Sequence, residues 1–87
     1  MNRVLIASPL RSYTGGAAEV PGHGATVDEV TRNLDAAYPG IRFRMIDEQD
    51  RIRPHIKFAV GTTFVWSLDT PVADGDDVHI IAALSGG

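Results

Sequence analysis

The sequence predicts an α+β fold, a mixed sheet of four to five strands with one main helix packed on a single face. Three features point to it. Residues 26–38 combine a helix-start signal with an apolar stripe of helical period, and several short β-prone runs are separated by turn residues. The two most apolar runs, Val4-Leu5-Ile6-Ala7 and Val78-His79-Ile80-Ile81-Ala82, stand near opposite ends of the chain. A helical crossover between them lets the first and last strands pair in parallel at the centre of the sheet, where strands are most apolar.

Val4-Leu5-Ile6-Ala7 breaks at Ser8-Pro9 and is too short for a helix, so it reads as a buried strand. Gly15-Gly16 supplies turn geometry before Ala17-Ala18-Glu19-Val20, which together read as a hairpin; no phosphate-cradling glycine motif is present. Thr26-Val27-Asp28-Glu29 matches a capping box, with the Thr hydroxyl accepting the amide three residues on and the Glu side chain reaching back to the Thr amide. A helix therefore begins at Val27, with Val27, Val30, Leu34, Ala37 and Tyr38 on one face. Tyr38-Pro39-Gly40 ends it, since proline cannot continue the amide ladder.

Ile41 to Met45 fits either a short helical turn or an irregular crossing, and Asp47-Glu48-Gln49-Asp50 reads as polar loop. Ile56 to Val60 alternates as a half-buried strand, Gly61-Thr62 turns the chain, and Thr63 to Trp66 is β-prone. Asp74-Gly75-Asp76 is a turn before the last strand.

Eighty-seven residues without a cysteine support one small domain, stabilised by its core alone. Folding at this size hides roughly 60–65% of the unfolded chain's surface and yields about 4–13 kcal/mol of stability, with no room for a deep cleft. The net charge of −3 argues against nucleic acid as a partner. Residues 45–87 carry seven acids against three basic groups, which makes that half a candidate surface for a basic partner. No apolar run approaches the ~18 residues of a membrane span, and the N-terminus lacks a signal-peptide pattern, so the expected location is the cytoplasm.

His23, His55 and His79 show no metal-ligand spacing and read as surface or hydrogen-bonded groups. Asp74, Asp76 and Asp77 fail the calcium-loop pattern, since Val78 takes a ligand position. Trp66, the single tryptophan, reads as core or edge packing rather than as a stacking platform. No internal nucleophile, base and orienter can be named, so the chain is expected not to be an enzyme and to bind neither metal nor cofactor. The terminal Gly86-Gly87 stands apart. A chain end without Cβ atoms can thread a narrow channel in a partner and present the Gly87 carboxyl. A carboxylate is a poor electrophile, so a different protein would have to activate it, for instance with ATP.

The chain resembles the ThiS/MoaD family of ubiquitin-like β-grasp sulfur carriers over nearly its whole length. The likeness rests on Gly24-Ala25-Thr26-Val27 opening the helix, Tyr38-Pro39-Gly40 closing it, Arg51-Ile52-Arg53-Pro54-His55-Ile56, Leu68-Asp69-Thr70-Pro71-Val72, Asp74-Gly75-Asp76 and the terminal Gly86-Gly87. Pro9 to Gly16 is more similar to carriers of the cysteine-synthesis and thioquinolobactin type than to the small subunit of molybdopterin synthase, the alternative within the family.

The resemblance implies a β-grasp domain over 1–82 and a flexible tail over 83–87. It implies that an E1-like enzyme adenylates Gly87 with ATP, that the carboxylate becomes a thiocarboxylate, and that sulfur passes to an acceptor. The acceptor would be a PLP-dependent cysteine synthase or a molybdopterin synthase large subunit. Ala83, Leu84, Ser85 and Gly86 would extend into the partner; Leu84-Ser85 replaces a more usual Val-Ala. An alternative of another class is a protein modifier or binding module. The candidate partner surface is the sheet face around Phe58, Phe64 and Trp66.

Overall fold

In the computed structural model, which describes residues 1–82, five strands and two helices alternate along the chain. They are β1 (Asn2–Leu5), β2 (Glu19–Gly22), α1 (Val27–Ala37), α2 (Ile41–Met45), β3 (Ile56–Val60), β4 (Thr63–Val65) and β5 (Asp77–Ala82). The sheet order is β2-β1-β5-β3-β4. β1 and β5 pair in parallel, with Val4 opposite Val78 and Leu5 opposite His79, as the two apolar runs predicted. The other pairings, β1 with β2, β3 with β5 and β3 with β4, are antiparallel. This is the β-grasp arrangement, with the helices on one face.

Side-chain alternation explains which residues form the core. Val4, Val20, Ile56, Phe58, Val65, Val78 and Ile80 all point to the helix side and join Val27, Val30 and Leu34 in one buried cluster. β2 can lie this close only because Gly22 has no side chain: a Cβ there would stand 2.5 Å from Val4 Cγ2. On α1, Val27, Val30 and Leu34 are buried as the stripe predicted; Thr31 is buried too, whereas Ala37 is exposed.

The helix start is a modified capping box. Thr26 Oγ1 accepts the Glu29 amide at 3.2 Å, but Glu29 Oε1 accepts from the Ala25 amide at 3.0 Å, one residue before the expected partner. Residues 25–27 lie along 70–72, with Val27 N donating to Thr70 O and Val72 N to Ala25 O. That pairing sets the direction of the amides in front of the helix.

Three local expectations change. The first strand is Asn2–Leu5 rather than 4–7, and the connection to β2 contains a 3₁₀ helix, Ser8–Thr14, which the sequence reading missed. Pro9 stands in its first turn, buried Leu10 anchors it to the core, and Gly15 closes it with φ of +65°. A single tight turn has too few apolar positions to display a period. Ile41–Met45 proves to be helix, with Ile41 and Met45 buried. Asp35 Oδ1 accepts from the amides of Gly40 and Arg42, both at 3.1 Å, and so starts α2 with a side chain from the preceding helix.

Asp28 joins the two helices. It accepts from Arg32 Nε at 2.8 Å and from Arg42 Nη2 at 2.7 Å, while Arg42 Nε donates to Thr31 Oγ1. Burial alone would push the Asp28 carboxyl up, but the hydrogen bonds and charges of Arg32 and Arg42 outweigh it and hold the group below the ordinary carboxylate range. A depressed folded-state pKa stabilises above the unfolded value and ceases to do so as pH falls through the folded one. Asp28→Asn is therefore expected to lose about 1.5–3 kcal/mol at neutral pH, and its urea midpoint should converge on that of the parent chain as both are acidified below about pH 4. Phe58 gives a second check: it is fully buried, and Phe58→Ala is expected to cost about 3–5 kcal/mol in urea or thermal unfolding.

Candidate functional site

The strand directions bring several chain segments to one end of the molecule. β5 ends there and antiparallel β3 begins there, with Ile56 opposite Ala82, while β1 finishes three residues short of that end, with Leu5 opposite His79. β4 runs against β3 and so also finishes there, leading into Trp66. Ala82 closes the described part of β5; the predicted tail residues Ala83, Leu84, Ser85, Gly86 and Gly87 lie outside the described residues. The central strand thus brings Ala82, the last described residue, to a pole framed by the start of β3 and the end of β4.

The sheet face turned away from the helices carries the candidate contact surface. Phe64 is 53% exposed and Trp66 71% exposed, with ring centroids 6.3 Å apart and planes inclined by 23°. Lys57 Nζ stands 5.7 Å from the Trp66 ring centroid, within cation–π range, and Ile81, paired with Lys57 across β3 and β5, is also exposed. Phe58 does not belong to this surface. Its register between Lys57 and Ala59 turns it toward the helices, and it is 0% exposed. Sequence reading overlooked Ile81, because the apolar run Ile80-Ile81-Ala82 conceals the inward and outward alternation. Trp66 corrects the reading as core packing: just beyond edge strand β4, its ring is exposed rather than packed.

An open groove of about 720 Å³ adjoins this face, lined among others by Asp28, Asp50, Arg53, Lys57, Trp66 and Asp69. Its charges are mixed. Asp50 Oδ1 lies 3.4 Å from Arg42 Nη2 and 3.7 Å from Arg32 Nη2, which ties the loop after α2 to α1. The Asp47 carboxyl is held below its ordinary range by the Arg51 amide first, against the opposing effect of burial, with the Gln49 amide adding to the lowering.

His23 and His55 are exposed on separate segments, and His79 is half-buried on the outer face, opposite in sense to Val78 and Ile80. Among the described residues no three His, Asp or Glu groups converge to hold a metal ion. The carboxylates near 74–77 are engaged as a turn demands: Asp76 accepts the Ala73 amide, Asp77 pairs with Arg3 at 2.8 Å, and Asp74 pairs with the N-terminal amine. No helix among the described residues is long and apolar enough to cross a membrane. What the described residues offer at this end is an exposed apolar surface of Phe64, Trp66 and Ile81 beside the end of β5.

Known proteins share both the sequence and this shape. The model of the ThiS family matches residues 4–87. The sulfur carrier protein CysO of Mycobacterium tuberculosis is 36% identical over 89 residues, covering 97% of this chain and 96% of the relative. Small archaeal modifier protein 3 of Haloferax volcanii is 35% identical over 66 residues, covering 72% of this chain and 71% of that one. Among solved structures, a chain of the Amycolatopsis orientalis BexX/CysO complex superposes with a TM-score of 0.92 at 32% identity, covering all of both chains. A family match over residues 4–87, nearly the full length, means that this chain belongs to the ThiS family.

Proposed function

We propose that this chain is a sulfur carrier whose Gly87 carboxyl is converted to a thiocarboxylate by a partner enzyme. The observation that carries the reading is the full-length likeness to the CysO sulfur carrier, in sequence and in backbone, with the family match running through Gly87. β5 supports it physically: as the middle strand of five, it anchors the tail's base to the most buried part of the sheet.

The chemistry requires two displacements, both on a partner. In the first, a Gly87 carboxylate oxygen attacks the α-phosphorus of ATP; a P–O bond forms and pyrophosphate leaves. In the second, a sulfide-level sulfur attacks the acyl carbon; the C–S bond forms and AMP departs with the C–O electron pair. The domain supplies the carboxyl, the reach of its tail and a docking face. An E1-like adenylating enzyme supplies the phosphate chemistry, and the sulfur then passes to a metabolite on a cysteine-forming, PLP-dependent synthase. The BexX/CysO complex supports a carrier that works by docking on a second protein. The Phe64, Trp66 and Ile81 face is the apolar surface suited to such docking.

A second reading has its own support: the likeness to small archaeal modifier protein 3 favours a chain end that forms an amide with a lysine of a target protein. Lysine conjugates in an extract of the source cells would mark that activity.

Mass spectrometry after incubation with the adenylating enzyme, ATP and sulfide should show the gain that accompanies exchange of one oxygen for sulfur, and removal of Gly87 should abolish it. An unchanged mass with an enzyme proven active would refute the carrier reading. Replacing Trp66 and Phe64 with Ala should weaken binding to the adenylating enzyme by about tenfold or more while leaving the unfolding midpoint nearly unchanged, since both rings are exposed.

A further inference from the structure

The seven arginines divide into two groups. Arg3, Arg32, Arg42 and Arg51 each pair with a carboxylate. Arg11, Arg44 and Arg53 have no carboxylate partner among the described residues, and all three are held in the same way. Arg11 Nε donates to Ile6 O at 3.1 Å, Arg44 Nε to Tyr13 Oη at 2.6 Å, and Arg53 Nε to Phe43 O at 2.7 Å. Arg53 also stands over the Phe43 ring, 4.6 Å from its centroid. In each case the inner nitrogen fixes the guanidinium, and the terminal Nη pair makes no hydrogen bond among the described residues. An end-on fork held in that way matches a carboxylate.

These three arginines share the pole of the tail. Ile6 directly follows β1, which finishes with Leu5 opposite His79, three residues before β5 ends at Ala82. Arg53 and His55 precede β3, whose first residue faces Ala82. Arg44 and Arg53 line one small hollow with Phe43 and His55, and the Arg44 to Tyr13 bond joins that hollow to the 3₁₀ helix that holds Arg11. Lys57 extends the basic set onto the outer sheet face. The acids Asp74, Asp76 and Asp77 lie at the opposite pole, before β5 begins or at its first residue. The acidic second half is therefore not one surface: Asp74, Asp76 and Asp77 stand at the pole opposite Ala82, apart from Asp47, Glu48 and Asp50.

We propose that this basic collar at the base of the tail docks against an acidic rim around the channel of the adenylating enzyme, with Arg11, Arg44 and Arg53 each receiving a carboxylate end-on. The proposal rests on the carrier reading, because a partner that takes Gly87 into its channel must meet the surface from which the tail departs. A protein rim suits the collar better than a nucleic acid does: Asp47, Asp50 and Asp69 stand nearby, and a continuous polyanion would meet them as well. Charges at such a rim act mainly on the rate of encounter and on its salt dependence.

The test is ATP–pyrophosphate exchange by the adenylating enzyme as a function of carrier concentration and salt. Arg44→Glu combined with His55→Glu changes two exposed positions, with Arg44→Gln combined with Arg53→Gln as a milder pair and Asp74→Lys as the remote control. The collar pairs should raise the half-saturating carrier concentration about tenfold or more at about 50 mM salt, and the gap should narrow to about twofold at about 500 mM. The wild-type chain should itself bind more weakly as salt rises, and Asp74→Lys should match the wild type. Equal half-saturation for the wild type and both collar pairs, an equal loss in Asp74→Lys, or salt-independent binding by the wild type overturns the collar. Tight binding of a random single-stranded RNA by the wild type that the collar pairs lose reassigns the arginines and overturns it as well. No exchange with the wild type at any salt overturns the carrier reading, and the collar with it.

Discussion

The parallel pairing of β1 with β5 is the constraint on which the rest of this fold depends. Two strands from opposite ends of the chain cannot meet in parallel unless the intervening chain crosses the sheet, and α1 makes that crossing. The pairing puts Val4 and Val78 side by side in the most buried row and leaves the later hairpin, β3 and β4, to extend the sheet from the free side of β5. It also makes β5 a central strand. β5 is thereby flanked by β1 as far as His79 and by β3 as far as Ala82, the last described residue.

The polar interactions reinforce the same end of the molecule. Asp28 binds Arg32 on its own helix and Arg42 on α2, and Asp50 extends that set to the loop that leads into β3. Asp35 starts α2, and Arg53 N donates to Met45 O at 2.9 Å where the chain returns toward the sheet. Few of these contacts are fully buried, so each is worth little singly. Their joint effect is positional: they set the segment 41–55, which carries Phe43, Arg44, Arg53 and His55, against the end of the sheet. A small domain with no cleft thus still has a structured surface around the group it presents.

Much of this was legible in the residue order. The helix Val27–Ala37 has its cap, its stripe and its stop all within residues 26–39. The turns at Gly61 and Gly75 and the apolar first and last strands are likewise local signals. Where local signals were short or ambiguous, reading failed. The 3₁₀ helix at Ser8–Thr14 is a single compact segment whose one deep anchor is Leu10, and α2 is a five-residue helix started by a carboxylate six residues away from its first position. Phe58 and Phe64 look alike in sequence, both aromatic in β-prone runs, yet one is fully buried and the other half exposed. Facing is a property of register, and register follows from which strands pair.

What the sequence determined by itself was the apolar first and last strands, the crossing helix, the absence of any thiol and the terminal glycine pair, because each is written in neighbouring residues or in composition. Only the tertiary structure decided what surrounds the base of that tail. Arg11, Arg44 and Arg53 are separated by as many as 42 positions, and no window of sequence shows that β1, α2 and the start of β3 meet at one pole. Nor does composition show where the acids of the second half stand: Asp74, Asp76 and Asp77 are at the pole opposite Ala82, whereas Asp47, Asp50 and Asp69 are near the arginines. The net charge is a sum, whereas a partner meets a local field set by strand direction.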